Sequence, residues 1–180
     1  MIYLTRDELR RLLAAARVNP LHHLMFVTAL YHALRVSELL NITGEDVIDG
    51  QLSVIRLKKG NPTIQPVHVD SDPVFDGSLL LELAKVNRGR IFDFSRQYAD
   101  RLIKHYGRVA GLHPDKAHMH CLRHSTAVAL WERTKDINCI VDTLGHKSPS
   151  SSLIYMRYDG AAKAQAALMT AFTVSNQAAA

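Results

Sequence analysis

The chain has 180 residues, 47% of them hydrophobic, which suits one domain with a sizeable core and excludes a disordered chain. Lys and Arg number 22 against 17 Asp and Glu, a net charge of +5 with ten histidines besides, a balance that favours a polyanionic partner. Two cysteines, Cys121 and Cys139, make no CxxC pair or disulfide framework and fit a reducing compartment, read as the cytoplasm; no apolar run approaches bilayer length, and residues 1–10 carry no secretory-type apolar core.

Thr5-Arg6-Asp7-Glu8 has the S/T-x-x-E form of a capping box, and Leu9, Leu12, Leu13 and Val18 extend it as an amphipathic helix that Pro20 ends. Residues 21–34 are apolar nearly all round, which predicts a helix buried in the core. Arg35 follows directly, and Val36 to Leu40 resume helical character, so a cation stands at a junction of packed helices. A charge there needs a partner, and Glu38, one turn on, is the nearest candidate.

Residues 51–57 carry the apolar set Leu52, Val54, Ile55 and Leu57, and residues 63–69 carry Ile64, Val67 and Val69. With Lys59-Gly60-Asn61-Pro62 between them they predict a hairpin whose basic tip holds Lys58 and Lys59. Asp72-Pro73 breaks the second strand, and helices over 78–86 and 95–111 follow, joined by a loop with Arg88 and Arg90. Arg88, Arg90, Arg96, Arg101, Lys104 and Arg108 are either a track for a nucleic-acid backbone or a solvated face. The fold class is mainly α with a small antiparallel β-sheet.

The last third is the richest in chemistry. A helix over 120–132 places His120, Arg123 and His124 on one side within a turn. A second helix over 136–144, capped by Asp136 and stopped by Gly145, leaves His146 in the turn just beyond. Ser148-Pro149 then reads as N-cap and first residue of another short helix, which carries Tyr155. Imidazoles, a guanidinium and a phenol in one stretch, completed by an arginine and a lysine from upstream, make a phosphoryl-transfer site that uses no metal and no cofactor; no P-loop pattern is present. Residues 161–172 are alanine-rich and helix-prone, and 174–180 read as a flexible tail.

Taken together, Leu34-Arg35-Val36-Ser37-Glu38-Leu39, Lys59-Gly60-Asn61, His120-x-Leu122-Arg123-His124 and Leu144-Gly145-His146 with a tyrosine nine positions later resemble, in order, the catalytic domain of the tyrosine recombinases, the phage-integrase family. The resemblance covers nearly all of the chain and implies that residues 1–173 have that domain's fold. It departs from the family at His32-Ala33, where a threonine-glycine pair is usual, and in showing no counterpart of the separate N-terminal core-binding domain. In the latter it is similar to the small recombinases that switch fimbrial genes, and a fragment of a longer integrase is the equal alternative.

The resemblance implies a DNA-breaking and rejoining enzyme. Arg35 and Arg123 would clamp the nonbridging oxygens of a phosphodiester, and Tyr155 would attack phosphorus to give a 3′-phosphotyrosyl link. His120 would accept the phenol's proton, Lys59 would protonate the departing 5′-hydroxyl, and His146 would hydrogen-bond the phosphate, with Glu38 and His124 in support. The implied partner is double-stranded DNA, bound by a homotetramer in the synaptic complex, with accessory DNA-bending or directionality factors and with residues 161–172 docking on a neighbouring subunit. Competing readings are an accessory DNA-binding module that kept the fold, and a type IB topoisomerase acting as a monomer. At single positions the alternatives are an Arg35–Glu38 pair of purely structural purpose, Lys58 in the place of Lys59, and Tyr158 in that of Tyr155, which the spacing from His146 disfavours. A zinc site at His118, His120, Cys121 and His124 lacks four ligands at recognised spacings.

Overall fold

The computed structural model describes residues 2–57 and 60–156. Lys58, Lys59, Tyr158, the helix expected over 161–172 and the tail therefore lie outside the described residues.

Helix α1 (Arg6–Ala16) begins as predicted. Thr5 Oγ1 accepts the Glu8 amide, and the Glu8 carboxylate accepts the Thr5 amide. Pro20 does not end this helix, which stops at Ala16; it is the first residue of α2 (Pro20–Tyr31), where a missing N–H costs nothing and Asn19 caps the amides of Leu21 and His22. Every residue of α2 from His23 to Leu30 is buried, and α1 and α6 pack against it. The helix ends at Tyr31, short of the predicted 34, because Ala33 takes a left-handed backbone (φ +48°) that a right-handed helix cannot continue. Helix α3 (Val36–Leu39) starts two residues beyond that turn's Leu34, with Arg35 as its N-cap.

Three antiparallel strands follow in the order β1-β2-β3: β1 (Val47–Ile48), β2 (Gln51–Val54) and β3 (Thr63–Pro66). β1 was not among the predicted elements. Its turn into β2 has Asp49 at φ +50° and Gly50 at φ +76°, the backbone of the two-residue hairpin turns that Asp-Gly favours. β2 stops at Val54, short of the predicted 57, where the chain carries Arg56 inward onto Glu38; β3 begins at Thr63 as predicted and ends at Pro66, short of 69.

Helices α4 (Leu79–Val86) and α5 (Arg96–Val109) lie close to their predicted bounds. Helix α6 (Met119–Thr134) is slightly longer than predicted, and α7 (Ile137–Leu144) runs from the Asp136 cap to Gly145, whose φ of +64° ends it in the left-handed conformation glycine adopts freely. Most of the core lies between α1, α2, α5 and the start of α6. A second apolar cluster, Ala33, Ala127, Val128, Trp131, Ile140, Leu144 and Tyr155, holds α7 against α6 and places the C-terminal turn beside the α2–α3 junction. Ile140 and Leu144, both fully buried there, contribute roughly 1.5–3 kcal/mol each. Among the described residues no helix is long and apolar enough to cross a membrane.

Candidate active site

The site is built on a buried carboxylate. Glu38, 3% exposed, reaches back along α3 so that one oxygen takes the Arg35 amide at 2.9 Å and the other the Arg35 guanidinium at 2.7 Å. The first oxygen also accepts from Arg56 at 3.1 Å and stands 3.8 Å from Arg123 Nη1; the second accepts the Leu57 amide at 3.1 Å. Burial alone would push the Glu38 carboxyl up, but the hydrogen bonds from Arg35 and the charges of Arg56 and Arg35 outweigh it and hold the group below its ordinary value. The carboxylate therefore stays ionised and gathers guanidinium groups from three segments: the α2–α3 junction, the chain after β2, and α6.

Arg123 is almost entirely enclosed, at 2% exposure. Its terminal nitrogens donate to the carbonyls of Ala33 and Leu144 and to His146 Nε2 at 3.2 Å. Burial, and then the neighbouring Arg35, lower it to about 10, so it remains a cation at neutral pH. A guanidinium can only donate, so His146 Nε2 is an acceptor, and its Nδ1 must carry the hydrogen that meets Ser152 Oγ at 2.7 Å. Burial and the charge of Arg123 lower His146 to about 4, which agrees with a neutral ring whose nitrogens are both engaged.

Tyr155 lies in a helical turn after the Ser148-capped 3₁₀ segment Pro149–Ser151, and only 3% of it is exposed. Its hydroxyl is 3.0 Å from His124 Nδ1, and the His124 ring meets that of His120 edge-on at 4.3 Å. Burial first, then His120, lower His124 to about 4. Burial also raises the Tyr155 phenol, against the pull of Arg123 and Arg35. The sequence assigns the phenol's partner to His120 and a supporting place to His124; in the structure His124 sits on the phenol. His120 lines, with Arg35, Ser37, Leu57, Arg96, Gln97 and Asp100, an open cleft of about 710 Å³ beside this cluster.

The structure brings Arg35, Glu38, His120, Arg123, His124, His146 and Tyr155 into one neighbourhood. Lys59 falls outside the described residues, but the chain on either side of it reaches the site: the Leu57 amide is bound to Glu38, and the Asn61 amide donates to Gly145 O at 3.1 Å. His118 caps α6, its Nδ1 accepting the Cys121 amide. Of the basic run, Arg96 reaches the cleft, while Lys104 pairs with Asp100 and Arg101 lies over the Tyr98 ring.

Arg56 is the residue the sequence did not single out. Strand parity could have found it, since Leu52 and Val54 face inward and Arg56 is next on that face, whereas Ile55 is 81% exposed.

The sequence profile described as the phage integrase family matches residues 3–161. A tyrosine recombinase XerA of Pyrococcus furiosus is 32% identical over 171 residues, covering 86% of this chain and 56% of that protein. The type 1 fimbriae regulatory protein FimE of Escherichia coli K12 is 29% identical over 168 residues, 85% of this chain and 84% of that protein. Among solved structures, a XerA recombinase superposes with a TM-score of 0.71 at 26% identity over 86% of this chain and 58% of that one. The catalytic domain of bacteriophage HP1 integrase superposes with a TM-score of 0.69 at 20% identity over 88% of both chains. The chain spans little more than half the length of the XerA proteins it matches.

Proposed function

Because the chain belongs to the phage integrase family, we propose that it cuts and rejoins double-stranded DNA at specific sites through a phosphotyrosyl intermediate, working in the cytoplasm as a tetramer on two sites. The observation that carries this reading is the convergence of Arg35 and Arg123 on opposite oxygens of Glu38, with His146 on Arg123 and the His124–Tyr155 pair in the adjoining cluster.

A phosphodiester resists attack until charge on its nonbridging oxygens is neutralised. Arg35, whose side chain keeps 25% of its surface exposed, meets the phosphate from the cleft, and Arg123 supplies the second cation from behind. His146, with Nε2 bound to Arg123 and Nδ1 to Ser152, orients that guanidinium.

Tyr155 Oη then bonds to phosphorus as the bond from phosphorus to the 5′-oxygen breaks. The phenol's proton passes to His124 Nδ1, which as a neutral imidazole has a lone pair free to accept it. An anionic phosphate arriving beside the ring raises its basicity when it is needed. Lys59 gives a proton to the departing 5′-oxygen, which leaves as a hydroxyl. A second 5′-hydroxyl reverses these steps, so exchange requires no nucleotide.

A duplex nicked next to the scissile phosphate tests this, since loss of the short end traps the covalent intermediate. The wild type and Tyr158→Phe should form a protein–DNA adduct stable to denaturant, and Tyr155→Phe should form none. An adduct in Tyr155→Phe would refute the assignment.

A further inference from the structure

Arg56 has no solvent-exposed side-chain surface, so it cannot touch DNA. Its five donor hydrogens also have enough acceptors. Nε donates to Thr63 Oγ1 at 2.9 Å, Nη1 to Glu38 at 3.1 Å and Ala33 O at 3.4 Å, and Nη2 to His32 O at 2.8 Å and Thr143 O at 2.7 Å. These acceptors come from the second strand of the hairpin, from the turn before Arg35, from α3 and from the end of α7.

The stem of the side chain is as closely held as its head. A Cβ on Gly60 would lie 2.8 Å from Arg56 Cβ and 2.6 Å from Gly145 O. A Cβ on Gly145 would lie 2.5 Å from Arg56 Cγ and 2.6 Å from Asn61 O. The two glycines therefore close on the arginine, and the Asn61 amide bonds Gly145 O across the contact. One glycine directly follows Lys59 and the other directly precedes His146.

We propose that Arg56 is a positioning residue that locks the lysine-bearing hairpin to the His146 turn, setting the leaving-group acid in one frame with the Arg123–His146 pair. An apolar side chain could fill the space at lower desolvation cost, but it could not tie three carbonyls, a hydroxyl and a carboxylate together. Lysine, with three donors on a single nitrogen, cannot span them either. The inference rests on the proposed strand-cleavage reaction, with Lys59 as the proton donor.

The test uses nicked duplexes whose scissile phosphate carries either oxygen or sulfur at the 5′-bridging position, because a thiolate leaves without a proton. Arg56→Lys perturbs the lock from the arginine, and Gly60→Ala perturbs it from the hairpin while leaving the arginine in place. Both should cleave the oxygen substrate about 100-fold or more slowly than wild type, the scale of a lost general acid. The DNA concentration for half-maximal rate should stay within about threefold, and the sulfur substrate should recover most of the rate. Should Arg56→Lys fail to fold, Gly60→Ala decides. Folded variants that are equally slow on both substrates, or as fast as wild type on oxygen, would overturn the role of Arg56. Lys59→Ala is the control for the underlying reading: if sulfur does not rescue it, the acid is not Lys59, a failure distinct from that of the lock.

Discussion

His124 Nδ1 lies 3.0 Å from the hydroxyl of Tyr155, and the two rings are 5.9 Å apart between centroids, so the nucleophile of the proposed reaction already rests on a base. The tie comes from adjacency: His124 directly follows Arg123 on α6, and a helix that buries the guanidinium toward Ala33 and Leu144 presents the next side chain to the neighbouring cluster. Replacing His124 by phenylalanine keeps a planar ring and removes the acceptor. With DNA saturating, covalent adduct formation should slow by about 10²–10⁴-fold. Glutamine, which keeps an acceptor, should recover part of the rate. If His124→Phe forms adduct at the wild-type rate, the proton leaves by another route, and His120 becomes the group to test.

Glu38 invites a second experiment because one carboxylate holds back the mutual repulsion of Arg35, Arg56 and Arg123. Glu38→Gln preserves the shape and leaves buried cations without their counter-ion. It should cost about 3–5 kcal/mol, read as a lower midpoint in urea denaturation. Neutralising Glu82, whose pair with Lys85 is two-thirds exposed, should leave stability nearly unchanged. Equal effects at the two positions would mean that the buried cluster is not the electrostatic keystone its geometry makes it.

Helices were the most legible part of the fold, because caps and apolar stripes repeat over several turns; Thr5, Asp136 and Gly145 all cap where their residue types suggest. The side chains of the candidate site were legible through spaced motifs and the family resemblance those motifs carry. What escaped notice depended on contacts across the chain. Parity along β2 points Arg56 inward, but what it meets there, Glu38 and Thr143, comes from segments distant in the chain. The choice between His120 and His124 turns on how α6 is rotated about its axis, which the second apolar cluster decides. Asp49-Gly50 did carry a turn signal, but a two-residue strand leaves almost no alternation to find.

The His32-Ala33 departure from the family's usual threonine-glycine pair has a structural consequence. Ala33 is fully buried at φ +48°, and its carbonyl accepts from both Arg123 and Arg56. A left-handed L-residue costs about 1–2 kcal/mol, against a backbone-entropy cost of roughly 0.5–1 kcal/mol for glycine. Ala33→Gly should therefore remain within about 1 kcal/mol of the wild type in urea denaturation. Ala33→Val, β-branched in the same backbone and tight against the cluster that holds Tyr155, should lose at least about 2 kcal/mol. A valine variant as stable as wild type would show that the turn is free to relax.

Acid should unfold this protein in two overlapping stages. His32, His124 and His146 are each lowered to about 4, in every case by burial first, while in the unfolded chain they titrate near 6.5. Between those values the unfolded chain binds more protons than the folded one. Stability therefore rises with pH through that window and is lost on acidification, by at most about 1.4 kcal/mol per pH unit for each imidazole. Glu38 has the opposite chemistry and the same sign. Its depressed carboxyl contributes stability above its ordinary value of 4.5 and loses it as pH falls further. The urea midpoint should then drop steeply from about pH 7 to pH 5 and continue falling below, with no comparable change from these groups above pH 7. A midpoint that is flat between pH 7 and 5 would mean that the imidazoles take up protons as readily in the folded state as in the unfolded chain, and that burial does not hold His124 neutral.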